Sequence, residues 1–389
     1  MYALVLDGEL KSALTAVRSL GRAGRKVSVG STRGSAMAGF SRFSSDHFVY
    51  PDPKIDQDKF VAHIIKAAKR FPEPPVLFTF SDATYLTVFA YRKELMEHCL
   101  IVLPEMNAVT KAFDKAETYT LARMLGIPTV TEYEYDPASV VSFPVVVKPK
   151  TSVSWATGEG KYGTAEIVFD AASYLAAAEA VEAQTGQSPI VQEFIMGSEY
   201  GVECLAFEGE VSKVFVHKRI RSQSPRGGAA TVKTTVLNDP HMVAMVSHSK
   251  KLIAELAWTG PIMVEWKFDT KEGVAKLMEI NGRFWGSLPL PERVGVQFVL
   301  GYDVLARGFA APKSRPIRPL TTQHFLGDVR WLWRVMTAND PLRAELYPHR
   351  LLALGSFLKT TLSVPGDVWS VTDPLPFFME YIDVIKKYL

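Results

Sequence analysis

Two neighbouring acidic segments could hold a divalent cation. Residues 263–269 and 275–281 both have strand-like patterns, and a short turn of residues 270–274 joins them. Because side chains alternate along a strand, Glu265 can face Glu279 and Asn281 across a hairpin. Two facing carboxylates repel each other unless a cation lies between them, and oxygen ligands suit Mg²⁺. The spacing therefore predicts a site for Mg²⁺ or Mn²⁺, although an ordinary solvated hairpin face would have the same pattern.

The same alternation assigns the neighbouring side chains of this hairpin. Trp266 is expected on the face opposite Glu265, and Leu277 on the face of Glu279, with Met278 on the other side. Arg283 follows two residues after Asn281. A guanidinium beside metal-bound phosphates could stabilise transferring charge, so Arg283 is a candidate catalytic residue.

A lysine precedes a glycine-containing loop. Lys148 lies in a β-branched strand over residues 143–150, and residues 157–164 (Thr-Gly-Glu-Gly-Lys-Tyr-Gly-Thr) follow it. Glycines such as Gly158 and Gly160 let backbone amides approach a phosphate closely, and an ammonium neutralises its charge. The loop is not a Walker A sequence, and a polar turn with a surface lysine is the alternative interpretation.

Residues 218–228 form a basic segment that is predicted to be a loop. Its four cations could be a solvated face or a lid that grips an anion. No aromatic residue interleaves with them, so the pattern does not favour nucleic acid. The candidate residues of this segment are Lys218, Arg219, Arg221 and Arg226.

Composition limits the classes of protein. The chain has 389 residues, enough for two to three domains at roughly 150 residues each. Its 44 basic and 41 acidic residues give a net charge of only +3, which does not indicate a nucleic-acid or membrane surface. Cys99 and Cys204 indicate neither a disulfide framework nor a zinc site, so a cytoplasmic location is expected. No signal peptide and no membrane-spanning segment are predicted.

The elements that position these residues indicate an α/β fold with α+β elements. An N-terminal βαβ pattern without G-x-G-x-x-G indicates a small parallel sheet that is not a dehydrogenase domain. The part beyond residue 300 is predicted to be mainly helical, with Trp331 and Trp333 expected to pack against the core. Predicted strands span 3–6, 26–29, 76–80, 143–150, 166–169, 189–195, 200–207, 211–217, 261–269 and 274–281, and helices 11–23, 59–70, 85–98, 111–125, 171–185 and 241–257.

In chain order, these segments resemble the ATP-grasp superfamily, and most of all its carboxylate-amine ligase-like branch. The resemblance is carried by residues 113–118 (Phe-Asp-Lys-Ala-Glu-Thr), 145–149 (Val-Val-Val-Lys-Pro), 191–199 (Val-Gln-Glu-Phe-Ile-Met-Gly-Ser-Glu), 263–266 (Met-Val-Glu-Trp) and 278–286 (Met-Glu-Ile-Asn-Gly-Arg-Phe-Trp-Gly). It implies an ATP-grasp fold with an N-terminal pre-ATP-grasp domain over 1–105. A lid subdomain with a mobile hairpin would span 106–195, a subdomain with the metal site 196–305, and a helical extension 306–389.

The resemblance also implies a role for each candidate residue. Lys115 and Lys148, with Gly158 and Gly160, would contact the phosphates of ATP. The hinge of Gln192, Glu193, Phe194 and Ile195 would bind adenine, and Glu199 would bind ribose. Glu265, Glu279 and Asn281 would hold Mg²⁺, and Arg283 would contact the γ-phosphate. The segment with Lys218, Arg219, Arg221 and Arg226 would receive a carboxylate substrate.

The activity so implied is ATP-dependent joining of a carboxylate to an amine through an acyl phosphate, which makes the chain a C–N ligase. The partners would be small-molecule carboxylate and amine substrates, without nucleic acid or a membrane span, and with a homodimer as a possible assembly. Two alternatives remain open at this point. One is a nucleotide-binding regulatory protein with an inactive core, and the other is a kinase or thioester-forming relative.

Overall fold

The computed structural model describes residues 1–134, 142–311, 318–340 and 343–388. The N-terminal part is a parallel four-stranded sheet of order β3-β2-β1-β4. Strands β1 and β4 are nearly continuous runs of buried apolar residues, as expected for parallel strands covered on both faces, whereas β3 alternates between half-buried and exposed residues. The elements are β1 (Tyr2–Val5), α1 (Lys11–Arg22), β2 (Lys26–Ser31), a 3₁₀ turn (Met37–Phe40), β3 (Asp46–Val49), α2 (Gln57–Ala68), β4 (Val76–Phe78), α3 (Asp82–Ala90) and α4 (Arg92–Leu95).

The predicted βαβ start is confirmed, but the predicted single helix over 85–98 is wrong. The helix breaks at Tyr91, whose φ of −99° and ψ of 21° leave the α-helical region. Helix α3 also starts earlier than predicted because the Ser81 side chain caps it by accepting from the Thr84 amide. The carboxylate of Asp7, at the end of β1, accepts from the amides of Phe80 and Ser81 and so fixes the same helix start.

The predicted helix over 111–125 is also two helices, α5 (Met106–Phe113) and α6 (Lys115–Met124). Asp114 between them is extended, and its carboxylate accepts from the amides of Ala116 and Glu117 as an N-cap. A carboxylate near the first turn of a helix interacts favourably with the positive end of the helix dipole, so Asp114 stabilises a new helix start at this position. Lys115 therefore becomes the first residue of α6, and its amide donates to the carbonyl of Lys150.

A second, antiparallel sheet has the order β5-β10-β6-β9 and packs against one helix. Between β6 and β9 the chain forms a separate two-stranded hairpin. This part agrees with the predicted strand, loop and strand around the glycines. The elements are β5 (Glu132–Tyr133), β6 (Val145–Lys148), β7 (Val153–Ser154), β8 (Lys161–Tyr162), β9 (Glu166–Val168), α7 (Ala171–Thr185) and β10 (Ile190–Glu193).

The largest sheet has six strands in the order β15-β14-β11-β12-β13-β16. The predicted basic loop over 218–228 is wrong, because β12 continues through it and pairs with β13 as a long hairpin. Register shifts between Arg219 and Ser224 bend this hairpin. Its arginine side chains contact different acidic residues. The elements are β11 (Glu199–Phe207), β12 (Glu210–Ser224), β13 (Gly227–Thr235), α8 (Met242–Glu255), β14 (Gly260–Asp269), β15 (Val274–Asn281) and β16 (Thr321–Gln323).

The C-terminal part is mainly helical, as predicted. Trp331 is buried and packs with Val335 and Ala353, which confirms its expected role. Trp333 is 65% exposed, so the expectation that it also packs against the core is wrong. On one helix, residues two positions apart point to different sides, which explains the difference. The elements are α9 (Pro289–Arg293), α10 (Phe298–Ala306), α11 (Phe325–Thr337), α12 (Arg343–Leu346), α13 (Arg350–Ser363) and α14 (Leu375–Tyr388).

One aromatic cluster joins the N-terminal sheet to the large sheet. Phe284, just after β15, stacks on Phe78 of β4 with ring centres 6.2 Å apart, and Tyr302 of α10 packs edge-on against both. These rings belong to the largest buried apolar cluster of the described residues. Arg283, the residue before Phe284, is therefore held where the N-terminal sheet meets the large sheet. Within the described part of the chain, no helix is long and apolar enough to cross a bilayer.

Candidate active site

Glu265 and Glu279 lie directly opposite each other in the ladder of β14 and β15. Asn281 Nδ2 bridges them, at 3.2 Å from Glu265 Oε1 and 3.4 Å from Glu279 Oε1. The facing arrangement that the sequence predicts is thus present. Two carboxylates and a carboxamide converge on one point of the sheet, and the carboxylate oxygens are ligands that suit Mg²⁺. The Asn281 oxygen Oδ1 accepts from Arg283 Nη2 at 3.1 Å, so the amide would have to turn over for this oxygen to join them.

The expected alternation on β15 is wrong at one residue. After the pair Glu265 and Glu279, the next partners are Trp266 and Leu277, so Met278 is an extra residue in a β-bulge. The bulge puts Leu277 into the buried cluster with Trp266, whereas Met278 lines the cleft beside Glu279. A single inserted residue reverses which face each side chain takes.

The carboxylates line a cleft of about 510 Å³ between the second sheet and the large sheet. Its size suits a small-molecule ligand. Strands β6, β9 and β10 form one wall, and β11, β12, β14 and β15 form the other. The lining includes Val146, Lys148, Ile167, Gln192, Glu193, Phe194, Ile195, Glu199, Arg219, Arg226, Lys267, Met278 and Glu279.

Two lysines face the carboxylates. Lys115 Nζ lies 3.8 Å from Glu279 Oε2, and Lys148 Nζ lies 3.1 Å from the Tyr119 hydroxyl. That hydroxyl is 2.6 Å from the carbonyl oxygen of Met278 and 3.1 Å from Gln192 Oε1, so a buried network orients Lys148. Burial, assisted by the charge of Lys115, lowers the pKa of Lys148 to about 7. A poorly solvated ammonium in this position favours an anionic ligand.

The two carboxylates of the pair have different electrostatic surroundings. Burial and the charge of Glu279 raise the pKa of Glu265, although Arg219 Nη2 lies 2.6 Å from its Oε2. Burial opposes ionisation of Glu279 too, but the charges of Lys115 and Lys148 outweigh it and lower the pKa of Glu279. Glu279 is therefore the carboxylate that is held ionised.

Arg283 connects this site to the N-terminal sheet. Its Nε and Nη2 lie 3.0 and 3.2 Å from the two carboxylate oxygens of Asp82, and Nη2 also lies 3.1 Å from Asn281 Oδ1. Asp82 is not among the residues that the sequence motifs predict. The Ser81-Asp82 sequence predicts the start of a helix, but it does not predict that Asp82 contacts Arg283, about two hundred residues away.

The predicted hinge residues lie at one end of the cleft. Phe194 and Ile195 line it, and Lys267 Nζ lies 5.6 Å from the centre of the Phe194 ring. The Glu193 amide donates to the carbonyl of Thr131, so this amide is already used within the protein. Glu199 binds Arg219 Nη1 at 3.2 Å and Lys267 Nζ at 3.4 Å, and these two charges lower its pKa despite burial.

A second group of carboxylates is occupied by a lysine. Glu193, Asp269 and Glu272 have oxygen atoms close enough to share a metal ion. Lys276 Nζ lies 2.8 Å from Glu193, 3.0 Å from Asp269 and 2.8 Å from Glu272. The ammonium supplies the positive charge at this position, so these residues form a structural ion cluster.

The structure separates the four cations of the basic segment. Arg219 faces the cleft, whereas Lys218 is on the other side of β12, with Nζ 5.3 Å from the centre of the Tyr200 ring. Arg221 lies over the Trp331 ring and binds Asp328 at 3.0 Å. Arg226 binds Asp340 through Nε at 2.6 Å while also lining the cleft.

Gly158 and Gly160 do not line the cleft. Their hairpin lies against the N-terminal part, where the Gly160 amide donates to the carbonyl of Lys54 at 2.7 Å. The Tyr162 hydroxyl accepts from the Ala83 amide at 3.3 Å in the same contact. Phosphate binding by these glycines therefore stays a prediction.

A family profile described as "ATP-grasp in the biosynthetic pathway with Ter operon" matches residues 186–317. This segment contains β11 to β15 and hence the paired carboxylates. No curated protein matches the chain significantly.

Solved structures extend the likeness to most of the chain. The biotin carboxylase domain of 2-oxoglutarate carboxylase from Hydrogenobacter thermophilus, in complex with MgADP, ADP and bicarbonate, is 15% identical with a TM-score of 0.63, over 82% of this chain and 72% of that one. An L-amino acid ligase from Bacillus licheniformis is 19% identical with a TM-score of 0.60, over 82% and 78%. An N5-carboxyaminoimidazole ribonucleotide synthetase in complex with ADP is 14% identical with a TM-score of 0.63, over 92% and 95%.

These identities are low, so the structural likeness establishes the fold. The resemblance to the ATP-grasp superfamily that the sequence motifs indicate is confirmed.

Proposed function

Because the chain has the ATP-grasp fold, we propose that it is an ATP-dependent ligase that joins a carboxylate to an amine. A carboxylate oxygen attacks the γ-phosphorus, and the bond between that phosphorus and the β–γ bridging oxygen breaks to release ADP. The amine nitrogen then attacks the acyl carbon of the acyl phosphate. Loss of phosphate and of an amine proton gives the amide. The single observation that carries the proposal is the Glu265 and Glu279 pair bridged by Asn281 opposite Lys115 and Lys148.

The cleft has the chemistry that a nucleoside triphosphate requires. Lys115 and Lys148 would neutralise phosphate oxygens, and the Tyr119 network holds Lys148 in place before the ligand arrives. Adenine would lie beside Phe194 and Ile195, with the ribose hydroxyls donating to Glu199. Gly158 and Gly160 would cover the phosphates if their hairpin closed over the cleft, which would also exclude water from a hydrolysable intermediate.

The residues present fit a divalent cation. Glu265 and Glu279 offer carboxylate oxygens at one point, and a cation between them would relieve their mutual repulsion. Asn281 would add its oxygen if its amide turned over, because Nδ2 now faces the two carboxylates. Bound Mg²⁺ or Mn²⁺ would supply positive charge to the phosphate oxygens. Arg219 already uses one oxygen of Glu265, so it helps to set the orientation of that carboxylate.

Arg283 is the residue we assign to the developing negative charge. Its Nε and Nη2 pair with Asp82 and its Nη1 donates to the Phe284 carbonyl, so the guanidinium is fixed in place, and its positive charge could stabilise a phosphoryl group nearby. Asp82 would therefore orient Arg283 towards the junction of the cleft and the N-terminal sheet. Arg219 is the one cation of the basic segment that faces the carboxylate pair, whereas Arg221 and Lys218 have contacts elsewhere.

The proteins of similar structure support this class of reaction. They include an L-amino acid ligase, an ADP-bound synthetase and a carboxylase domain with MgADP and bicarbonate. ADP is bound in two of these structures, and bicarbonate accompanies it in one, which agrees with phosphoryl transfer from ATP to a carboxylate.

The test is release of ADP and phosphate from MgATP across pooled carboxylates and amines, with Glu279→Gln in parallel. The proposal expects release that requires both substrates and is lost in Glu279→Gln. Glu272→Gln is the matched control, because Glu272 lies in the turn of the same hairpin and contacts only the Lys276 cluster among described residues. Release of AMP instead of ADP, or full turnover by Glu279→Gln, would contradict the proposal.

Product analysis separates the related activities. An amide product identifies the ligase, a stable acyl phosphate identifies a kinase, and a thioester identifies a thioester-forming enzyme. ATP binding without turnover on any pool would favour an inactive nucleotide-binding core.

A further inference from the structure

A second cleft, of about 640 Å³, lies where three parts of the chain meet. We call it the junction cleft, and define it by Arg22 of α1, Glu292 and Arg293 of α9, and residues 365–371 between α13 and α14. It has no lining residue in common with the active-site cleft. The proposed reaction therefore does not account for it.

Two guanidinium groups of the junction cleft have no carboxylate partner among the described residues. Arg293 Nη2 donates to the carbonyl oxygens of Gly366 and Trp369, at 2.5 and 3.3 Å, which leaves its Nε and Nη1 without a described partner. The Arg22 side chain is exposed, and its guanidinium lies 5.4 Å from the centre of the Phe43 ring. Burial lowers the pKa of Arg293; the charge of Asp367 opposes this shift, and the charge of Arg22 adds to it. Two like charges are thus held close together at this position.

The third arginine of the cleft is fully used by the protein. Arg18 Nε lies 2.8 Å from Asp373 Oδ2, and its other nitrogens donate to the carbonyls of Val368 and Asp373. Arg18 therefore fixes the C-terminal segment to α1, whereas Arg22 and Arg293 keep donors for another group.

The acidic residues of the cleft offset these two arginines only in part, because Asp367 acts on Arg293 through its charge but forms no ion pair with it among the described contacts. Asp367 is bound by Lys11 at 2.8 Å and by Lys233 at 2.5 Å, so its charge is already matched. Glu292 accepts from the Ser19 hydroxyl and the Val299 amide, and burial raises its pKa, which favours its neutral form. The junction cleft therefore presents unmatched positive charge.

One wall of the cleft is aromatic. Trp369 is 43% exposed, and its indole is fixed edge-on against Phe377 with ring centres 5.2 Å apart. Leu300 and Pro289 add apolar surface beside it. An exposed, fixed indole next to free guanidinium groups suits a ligand with an anionic end and a planar or apolar body.

We propose that the junction cleft is a second ligand site, which binds a small organic anion that carries a phosphate or carboxylate group. Its anionic oxygens pair with Arg22 and Arg293, and its body lies against Trp369. The ligand connects α1 of the N-terminal part, α9 and the C-terminal segment. The site is independent of the proposed ligase reaction and needs no turnover.

The test is calorimetric titration of the full chain with phenyl phosphate and with phthalate, with the active site saturated by MgADP. We expect one saturable site for at least one probe, and binding about tenfold weaker in Arg22→Gln, because a charge-assisted pair is lost. Lys66→Gln is the control, since Lys66 is an exposed residue of helix α2 that does not line the junction cleft, and the charge change is the same. Preference for one probe identifies the phosphate or the carboxylate as the recognised group.

A second variant keeps the test independent of folding effects. Ser370→Asp introduces a carboxylate into the cleft wall, where it would compete for the arginines, so it should abolish probe binding while MgADP still binds. Equal probe affinity in wild type, Arg22→Gln and Ser370→Asp would overturn the proposal. Binding of sulfate as tight as that of phenyl phosphate would overturn the role of Trp369, and absence of saturable binding of both probes would overturn the site.

Discussion

Arg283 and Asp82 form a two-point ion pair between the loop after β15 and the start of α3, with N···O distances of 3.0 and 3.2 Å. The pair joins the paired carboxylates, through Asn281, to the N-terminal sheet. The N-terminal part therefore helps to build the candidate site.

Asp82→Asn should lower kcat with a much smaller effect on the KM for ATP. The neutral amide keeps one hydrogen bond but no longer fixes the guanidinium at two points. Loss of a charge-assisted contact of about 1.5 kcal/mol corresponds to roughly tenfold in rate. Steady-state ADP release measures both constants, and an unchanged kcat would show that Asp82 has no positioning role.

Binding of ATP should weaken as pH rises above 7. Burial lowers the pKa of free Lys148 to about 7, but the residue must be charged to bind phosphate. Above this pH the protein must therefore take up a proton when ATP binds, whereas below it Lys148 is already protonated. Calorimetry at pH 8 in buffers of different ionisation enthalpy should detect the uptake. Lys148→Arg should remove it, and wild-type binding without proton uptake would contradict this assignment.

Tyr119→Phe should destabilise the protein and weaken nucleotide binding together. The hydroxyl contacts Lys148, Gln192 and the Met278 carbonyl, and the Tyr119 side chain is fully buried. Leaving buried polar partners unsatisfied costs about 1–3 kcal/mol, whereas the ring itself is retained. Urea unfolding measures the stability, with ATP affinity measured on the same samples. A neutral effect on both would show that the network is dispensable.

Arg221→Met should reduce stability without changing the KM of the carboxylate substrate. Arg221 binds Asp328 at 3.0 Å, and the Asp328 side chain is completely buried. Removing one partner of a buried pair costs about 3–5 kcal/mol because the other charge stays buried. The double variant Arg221→Met/Asp328→Asn should recover most of this loss in thermal unfolding. A raised KM with normal stability would instead support a direct role in substrate binding.

Local spacing predicted the facing carboxylates because a hairpin brings nearby residues together and alternation selects the face. It could not predict the bulge at Met278, since an inserted residue in one strand depends on packing against its partner. The break between the two helices at Asp114 could have been predicted, because Asp114 is followed three residues later by Glu117, which is a helix-start pattern. The strong helical periodicity around it favoured one continuous helix instead.

Partners distant in sequence could not be predicted. The four cations of the basic segment look alike in sequence, but Arg219 contacts Glu265, Arg221 contacts Asp328 and Arg226 contacts Asp340. These pairings depend on how β12 and β13 pack against the C-terminal helices. The ion pair of Arg283 with Asp82 likewise requires the packing of Phe284 against Phe78.

The most direct test of the acyl phosphate mechanism uses a carboxylate substrate labelled with oxygen-18, once a substrate pair is known. The account predicts that one labelled oxygen passes into inorganic phosphate for each amide formed, because the carboxylate oxygen becomes the bridging oxygen of the acyl phosphate. Phosphate without the label, or label in AMP, would contradict the mechanism.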